Sequence, residues 1–294
     1  MSKEGRKILS VLAHPDDESF GMGGTLALYA RKGVQVHLVC ATRGEVGEVE
    51  PQMLKGFASI GELREHELRC AAEKLGLAGV YFLGYRDSGM TGSENNHHPQ
   101  ALAAASVDEV AEKVVGYIRQ LRPQVVLTFD PIGGYRHPDH IAIHKATVKA
   151  FHAAGDPQAY PGEGEPYQPA KLYYHTIPHR YLGWAVRLMP IFGRDPRHFG
   201  QNEDIDLTSL VSEDFPIHAR IDYRTVMDLK MDASACHASQ GGMGLGGGPW
   251  FMRFVTRLAS GRDGFVRAYP PPEKGLREID LFSGLNGRSG PQDG

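Results

Sequence analysis

Two short segments cluster side chains whose types and spacing could bind a metal: His14-Pro15-Asp16-Asp17-Glu18 and His137-Pro138-Asp139-His140. In the first, an imidazole and a carboxylate three residues apart on a tight turn can converge on one ion. The second brings two imidazoles with a carboxylate between them. A catalytic zinc site uses three nitrogen or oxygen ligands and keeps one position for water, so the two segments offer more candidates than one ion needs. Taken alone, each also reads as a helix-capping turn in which an Asp satisfies the first amides of the next helix. Capping accidents rarely duplicate a ligand set, and the pair together favours a metal.

Such a site forms only if both segments are brought to one place, and the flanking sequence supplies the means. Ile8 to Ala13 is a short aliphatic run that predicts a strand buried on both faces, ending at His14. Gly23 to Lys32 predicts a helix stopped by Gly33, and Val34 to Ala41 a second strand. Glu62 to Leu75 predicts a helix stopped by Gly76, followed by a strand over Val80 to Leu83. Val107 to Leu121 predicts an amphipathic helix ending before Pro123. A strand over Val125 to Phe129, a helix over His140 to Ala153 and a strand over Lys171 to Ile177 complete the series. Strands and helices alternating at these lengths predict an α/β fold: a doubly wound, mostly parallel, Rossmann-like sheet with helices on both faces. Ligands of such sheets bind beyond the carboxyl ends of the strands, where both segments fall.

The rest of the chain is less specific. Residues 1–294 are read as one domain, with a core over about 7–178 and a C-terminal extension over about 179–294. In that extension Asp222 to Ser239 predicts a helix, Gly241 to Gly248 a glycine-rich loop, and Ser283 to Gly294 a frayed tail. A net charge of −3 with 23% charged residues gives no electrostatic ground for a nucleic-acid partner. No stretch reaches the roughly 18 apolar residues of a membrane span. Cys40, Cys70 and Cys236 are odd in number and irregular in spacing, which suggests neither a disulfide framework nor a Cys-rich metal site and points to the reduced cytoplasm. His97 and His98 read as surface residues, and His144 as a packing residue or a support to the ligands. Gly21-Met22-Gly23-Gly24 does not complete a dinucleotide-binding fingerprint, because Leu26 occupies the last place.

The HPDDE and HPDH segments resemble the two signature motifs of the LmbE-like, or PIG-L, deacetylase family. The resemblance extends through Thr42-Arg43-Gly44-Glu45-Val46-Gly47-Glu48, Arg64, Tyr85-Arg86-Asp87-Ser88-Gly89-Met90 and Gly133-Gly134-Tyr135, and less distinctively to His237-Ala238-Ser239-Gln240. It implies a Zn2+ ion held by His14, Asp17 and His140, with Asp16 as general base to a metal-activated water. It further implies that His137 assists at the carbonyl oxygen, that Asp139 holds His137 in its imidazolium form, and that Tyr135 gives a further hydrogen bond. Asp16 and His137 both remain candidates to protonate the departing amine. By the same resemblance Arg64, Asp87, Met90 and Glu48 are the substrate-binding candidates. The implied partner is a small N-acetylglucosaminyl conjugate, such as GlcNAc-malate or GlcNAc-inositol, as in the making of mycothiol or bacillithiol, with no membrane and with room for a homo-oligomer. An amidase of thiol S-conjugates, a deacetylase of a glycosylated natural product and a non-catalytic sugar- or nucleotide-binding module are the alternatives.

Overall fold

Strand β1 (Lys7–Leu12) lies near the middle of a seven-stranded sheet, and its Ile8, Leu9 and Val11 are fully buried because helices cover both faces. The computed structural model describes residues 5–176, 186–187, 189–192, 195–197, 208, 215–242 and 261–285. The sheet order is β3-β2-β1-β4-β5-β7-β6. Its other strands are β2 (Gln35–Cys40), β3 (Gly79–Phe82), β4 (Val125–Phe129), β5 (Lys171–Thr176), β6 (Ala219–Asp222) and β7 (Arg262–Tyr269). The first five run parallel, as predicted; β7 is antiparallel to both β5 and β6.

The chain winds outward from β1 through β2 to β3, then crosses back to place β4 on the other side of β1. The loops after β1 and β4 therefore diverge at a topological switch point. Pairing of Ile8 with Val125 and Ser10 with Leu127 brings the two strand ends level. That adjacency joins two motifs more than a hundred residues apart in sequence.

The helices begin and end where capping chemistry requires. Short α1 (Asp17–Phe20) begins inside the first motif and leads to α2 (Gly23–Arg31). Ser59 caps α3 (Ile60–Leu75) by accepting from Glu62 N, and Gly76 closes it in the left-handed conformation at φ 72°. Ser106 caps α4 (Val107–Leu121) in the same way. After the short turn α5 (Gly133–Arg136), His137 itself caps α6 (Pro138–Ala153), with Pro138 at the first helical position. Helix α7 (Met227–Cys236) packs on α2 and α3, while α4 packs on α6.

Three expectations change in the C-terminal part. The helix predicted from Asp222 to Ser239 is shorter: Asp222 ends β6, and the helix proper is α7. Strands β6 and β7 were not legible, because antiparallel pairing at one end of the sheet needs no long apolar run. Cys70 of α3 and Cys236 at the end of α7 form a disulfide, and Cys40 is the free, buried cysteine. Their sequence separation of 166 carries no pairing signal, so only the packing of α7 on α3 reveals it. Most of the predicted glycine-rich loop and tail lies outside the described residues.

Candidate active site and metal centre

The site is built on the carboxyl ends of β1, β2, β3 and β4. Its floor is His14, buried at the end of β1. Nε2 of His14 lies 3.0 Å from Asp139 Oδ2 and 3.5 Å from Asp87 Oδ1. An ionised carboxylate can only accept, so this nitrogen carries the proton and Nδ1 presents a lone pair. Nδ1 meets Nε2 of His140 at 3.2 Å. The other nitrogen of His140, Nδ1, lies 3.1 Å from Gly133 O and donates to it, so His140 Nε2 also presents a lone pair. Two lone pairs facing at this distance need a cation or a shared proton between them.

Asp17 closes the triangle, with Oδ1 3.3 Å from His140 Nε2 and Oδ2 3.6 Å from His14 Nδ1. Ligand atoms about 2.0–2.2 Å from an ion in a tetrahedral site stand roughly 3.3–3.5 Å apart, close to the spacings here, in which the Asp17 corner is shared by its two oxygens. Burial opposes ionisation of Asp17, but His140 and His14 outweigh it and hold the carboxyl well below its ordinary range. One nitrogen each of His14, His137 and His140 also falls within a sphere suited to a metal, as do atoms of His14, Asp87 and Asp139. In the second group the His14 nitrogen is already a donor to carboxylates, and the arrangement is a buried hydrogen-bond cluster.

Asp16 stands one residue before this triangle in a strained conformation, φ 128° and ψ −27°. A non-glycine residue there costs on the order of 1–3 kcal/mol and persists only when its surroundings hold it. Here they do. Asp16 O accepts from Ser19 N at 3.0 Å and Phe20 N at 2.9 Å, Asp16 N donates to Glu18 Oε2 at 3.0 Å, and Arg64 Nη2 donates to Asp16 Oδ2 at 2.9 Å. Burial, opposed by Arg64 and reinforced by Asp17, pushes the Asp16 carboxyl up to about 6. The turn thus sends neighbouring carboxylates to different tasks, Asp17 into the triangle and Asp16 onto Arg64.

Arg64, a substrate-binding candidate from the sequence, is turned inward. Its Nη2 donates to Pro15 O at 2.8 Å as well as to Asp16, and Nη1 donates to Gly44 O at 3.0 Å. Gly44 permits this: its φ is 67°, and a Cβ there would collide with the guanidinium. Exposed Glu62 lies two residues away on α3, whereas Arg64 is buried.

His137 and Asp139 are joined differently from expectation. The Asp139 carboxylate accepts from Ser88 N at 2.9 Å, from Ser88 Oγ and from His14 Nε2, and no bond to the His137 ring is among these. Instead Asp139 N donates to His137 Nδ1 at 3.1 Å, an N-cap bond. This fixes the neutral tautomer of His137 with its proton on Nε2. Burial, followed by the His14 and His140 rings beside it, pushes His137 down to about 2. The cap bond uses the Nδ1 lone pair and leaves Nε2 as the nitrogen free to donate. The Tyr135 ring lies edge-on to His137 and His140, and burial, then Asp17, keeps its phenol protonated.

The loop after β3 brings Asp87 against His14 and Ser88 against Asp139, and Met90 follows on the same loop. Asp87 accepts from Gly89 N at 2.8 Å and Val46 N at 3.4 Å. Asn96 Nδ2 donates to Ser88 O at 2.6 Å and to Met90 O at 3.1 Å, which fixes half-buried Met90. Glu48 is exposed, and its carbonyl accepts from Gln240 Nε2 at 3.3 Å. His144 donates from Nδ1 to Phe129 O at 2.8 Å, the supporting position expected of it.

Four residues that the sequence did not single out complete the surroundings: Glu18, Glu67, Ser88 and the C-terminal His237. His237 Nε2 lies 2.7 Å from Glu18 Oε1, and Ser239 bonds Glu67 through both N and Oγ at 2.8 and 2.6 Å. The only signals available were the last letter of HPDDE, the serine of Tyr85-Arg86-Asp87-Ser88-Gly89-Met90 and the weak His237-Ala238-Ser239-Gln240 pattern.

Residues 9–151 match the family model described as PIG-L: GlcNAc-PI de-N-acetylase. A 1D-myo-inositol 2-acetamido-2-deoxy-alpha-D-glucopyranoside deacetylase of Thermomonospora curvata is 39% identical to this chain over 302 residues, covering 98% of this chain and 99% of the relative. The enzyme of the same description from Streptomyces avermitilis is 40% identical over 295 residues, covering 95% and 97%. Among solved structures, the N,N'-diacetylchitobiose deacetylase from Pyrococcus horikoshii shares the fold with a TM-score of 0.58 at 21% identity, covering 89% of this chain and 83% of that one.

Proposed function

Because the chain belongs to the PIG-L, or LmbE-like, family of N-deacetylases, we propose that it removes the acetyl group from GlcNAc-inositol, with zinc held by His14, Asp17 and His140. The observation that carries the metal is the triangle of two imidazole lone pairs and a carboxylate with sides of 3.2, 3.3 and 3.6 Å. The observation that carries the substrate is 39–40% identity over nearly the whole chain to deacetylases of that glucosaminyl-inositol.

When bound, zinc polarises the amide carbonyl and lowers the pKa of the attacking water towards about 7. The side chains do the rest. Asp16, ionised at neutral pH and steadied by Arg64, takes the proton of that water. His137 presents its Nε2–H to the oxygen on which negative charge develops, and the Tyr135 hydroxyl is a second donor beside it. His137 Nδ1 is engaged by Asp139 N, and a second proton on that ring would break the cap, so Asp16 is read as returning the proton it took to the departing amine. Asp139 acts through His14, holding its ring and tautomer, and Ser88 holds Asp139 in turn.

Asp87, which stands against His14, Met90 on the same loop and exposed Glu48 beside Gln240 are the residues read as meeting the sugar and the inositol. Arg64 serves the sugar indirectly, through Asp16. The chain is read as one domain, because the described part of the extension supplies two strands to the same sheet. Among the described residues no helix is long and apolar enough to cross a membrane. A cytoplasmic setting suits a small metabolite, with the Cys70–Cys236 bond as a feature that a reducing compartment must spare.

Acetate release from GlcNAc-inositol and GlcNAc-malate by zinc-loaded protein tests the reading, with Asp16→Asn as control. Faster release from the inositol conjugate, lost in the variant, is expected. Preference for the malate conjugate would overturn the substrate, and full activity of Asp16→Asn would overturn the base.

A further inference from the structure

We propose that Glu18 and His237 form a strut that positions the general base, making His237 of the C-terminal extension a positioning residue of the reaction; this rests on the assignment of Asp16 as base. Glu18 and His237 are both fully buried. The carboxylate of Glu18 is divided between two tasks: Oε2 accepts from Asp16 N at 3.0 Å, and Oε1 accepts from His237 Nε2 at 2.7 Å and Ser19 Oγ at 2.5 Å. It is thereby fixed from both sides.

The Asp16 amide is the one it needs to hold. With φ at 128°, Asp16 occupies backbone space that a side-chain-bearing residue leaves when it can. Arg64 fixes the carboxylate end of the residue and Glu18 fixes its amide, so the direction of Cα–Cβ, and with it the aim of the base, depends on both. Without His237, the rotatable Ser19 hydroxyl is the one remaining donor to Oε1, and the hold of Glu18 on the amide loosens.

His237 is itself well anchored. Cys236 beside it is bonded to Cys70 of α3, Ser239 is bonded twice to Glu67 of α3, and the Phe20 ring packs edge-on against the imidazole at 5.8 Å. Its Nδ1 is buried with no hydrogen-bond partner among the described residues, so its one polar engagement there is with Glu18. A residue kept for packing alone would not require a buried carboxylate facing it, whereas a strut requires one donor at this atom.

The test uses zinc-loaded full-length protein and compares His237→Met, which removes the donor, with His237→Gln, whose amide nitrogen can reach the place of Nε2. Loss of the strut misaims the base without touching the substrate mouth, so His237→Met should lower kcat about 10- to 100-fold and leave KM and zinc stoichiometry unchanged. His237→Gln should recover most of that loss. Glu18→Gln, which cannot serve two donors with one oxygen, should resemble His237→Met if the latter folds poorly. In a double-mutant cycle with Asp16→Asn, His237→Met should add nothing further. Equal losses in the Met and Gln variants, a loss of zinc, a change in KM alone or additive effects in the cycle would each overturn the strut. Failure of the base assignment is seen separately, as full activity of Asp16→Asn alone.

Discussion

Each of the three carboxylates and three histidines at the centre acquires its role from what its second atom touches. His14 and His140 both expose a lone pair to one point because their other nitrogens are spent on Asp139 and on Gly133 O. Ser88→Ala removes a buried hydroxyl that bonds Asp139, and loosens His14 through it. We expect a 10- to 100-fold weakening of zinc affinity, of the order typical for supports to metal ligands, measured by competition with a chromophoric chelator. Unchanged affinity would show that Ser88 N alone holds Asp139. Asp16→Asn keeps the size of the side chain and the Arg64 contact but cannot accept the proton, so kcat should fall by about 10²–10⁴ with zinc content intact. The HPDDE and HPDH letters identified these residues. They did not reveal that Asp139 serves His14 instead of the His137 two residues away, because a helix N-terminus points that carboxylate across the site.

Among the elements, the helices and parallel strands of the first 176 residues were legible because apolar runs, Ser caps and Gly stops coincide in the sequence. The C-terminal part was not, since it is held by long-range polar contacts. Glu278 is buried against β5 and β7, with Lys171 Nζ at 2.7 Å, Tyr173 OH at 2.7 Å and Arg267 Nη1 at 3.1 Å. Glu278→Ala strands a buried ammonium and should destabilise the fold by about 3–5 kcal/mol, as read from urea unfolding. A cost below 1 kcal/mol would mean that water reaches Lys171. The Cys70–Cys236 bond ties α3 to α7 across the same interface. Reduction is expected to lower stability by about 2–4 kcal/mol through the unfolded state, and an unchanged midpoint under reductant would count against its contribution. Gly24 permits α2 to meet Tyr223, whose ring would collide with any Cβ there, and so sets how closely the C-terminal segment docks.

Across the whole molecule, several histidines are folded in the neutral form. Burial, the largest cause in each case, lowers the pKa of His37, His144, His175 and His218 below the ordinary value of 6.5. Below about pH 6.5 the unfolded chain takes up protons at these four positions that the folded chain refuses, so each contributes stability that is full above that pH and is lost as the medium is acidified toward its folded-state value. His14 and His237, where burial is outweighed by neighbouring carboxylates that raise them, and Asp16, pushed up by burial to about 6, act in the opposite sense. His37→Asn should therefore hold its thermal midpoint better than the unaltered protein between pH 7 and pH 5, and an identical pH dependence would show that His37 contributes nothing. Zinc should raise the midpoint at neutral pH, by about 2.7 kcal/mol of stability at a hundredfold excess over Kd, and a chelator should reverse it.

By itself the sequence determined the local content of this protein: which runs become parallel strands, where helices start and stop, and which two turns carry metal-binding side chains. Those are decided within a few residues, by alternating burial, caps and turn chemistry. The tertiary structure decided what each polar group faces. The switch point between β1 and β4 joined His14 and Asp17 to His140. The curl of the loop after β3 gave Asp139 to Ser88 and His14. The docking of the extension gave Glu18 to His237. Hydrogen bonds act over about 3 Å between groups as many as 252 positions apart, and no local pattern in a chain records which of its distant polar groups will meet.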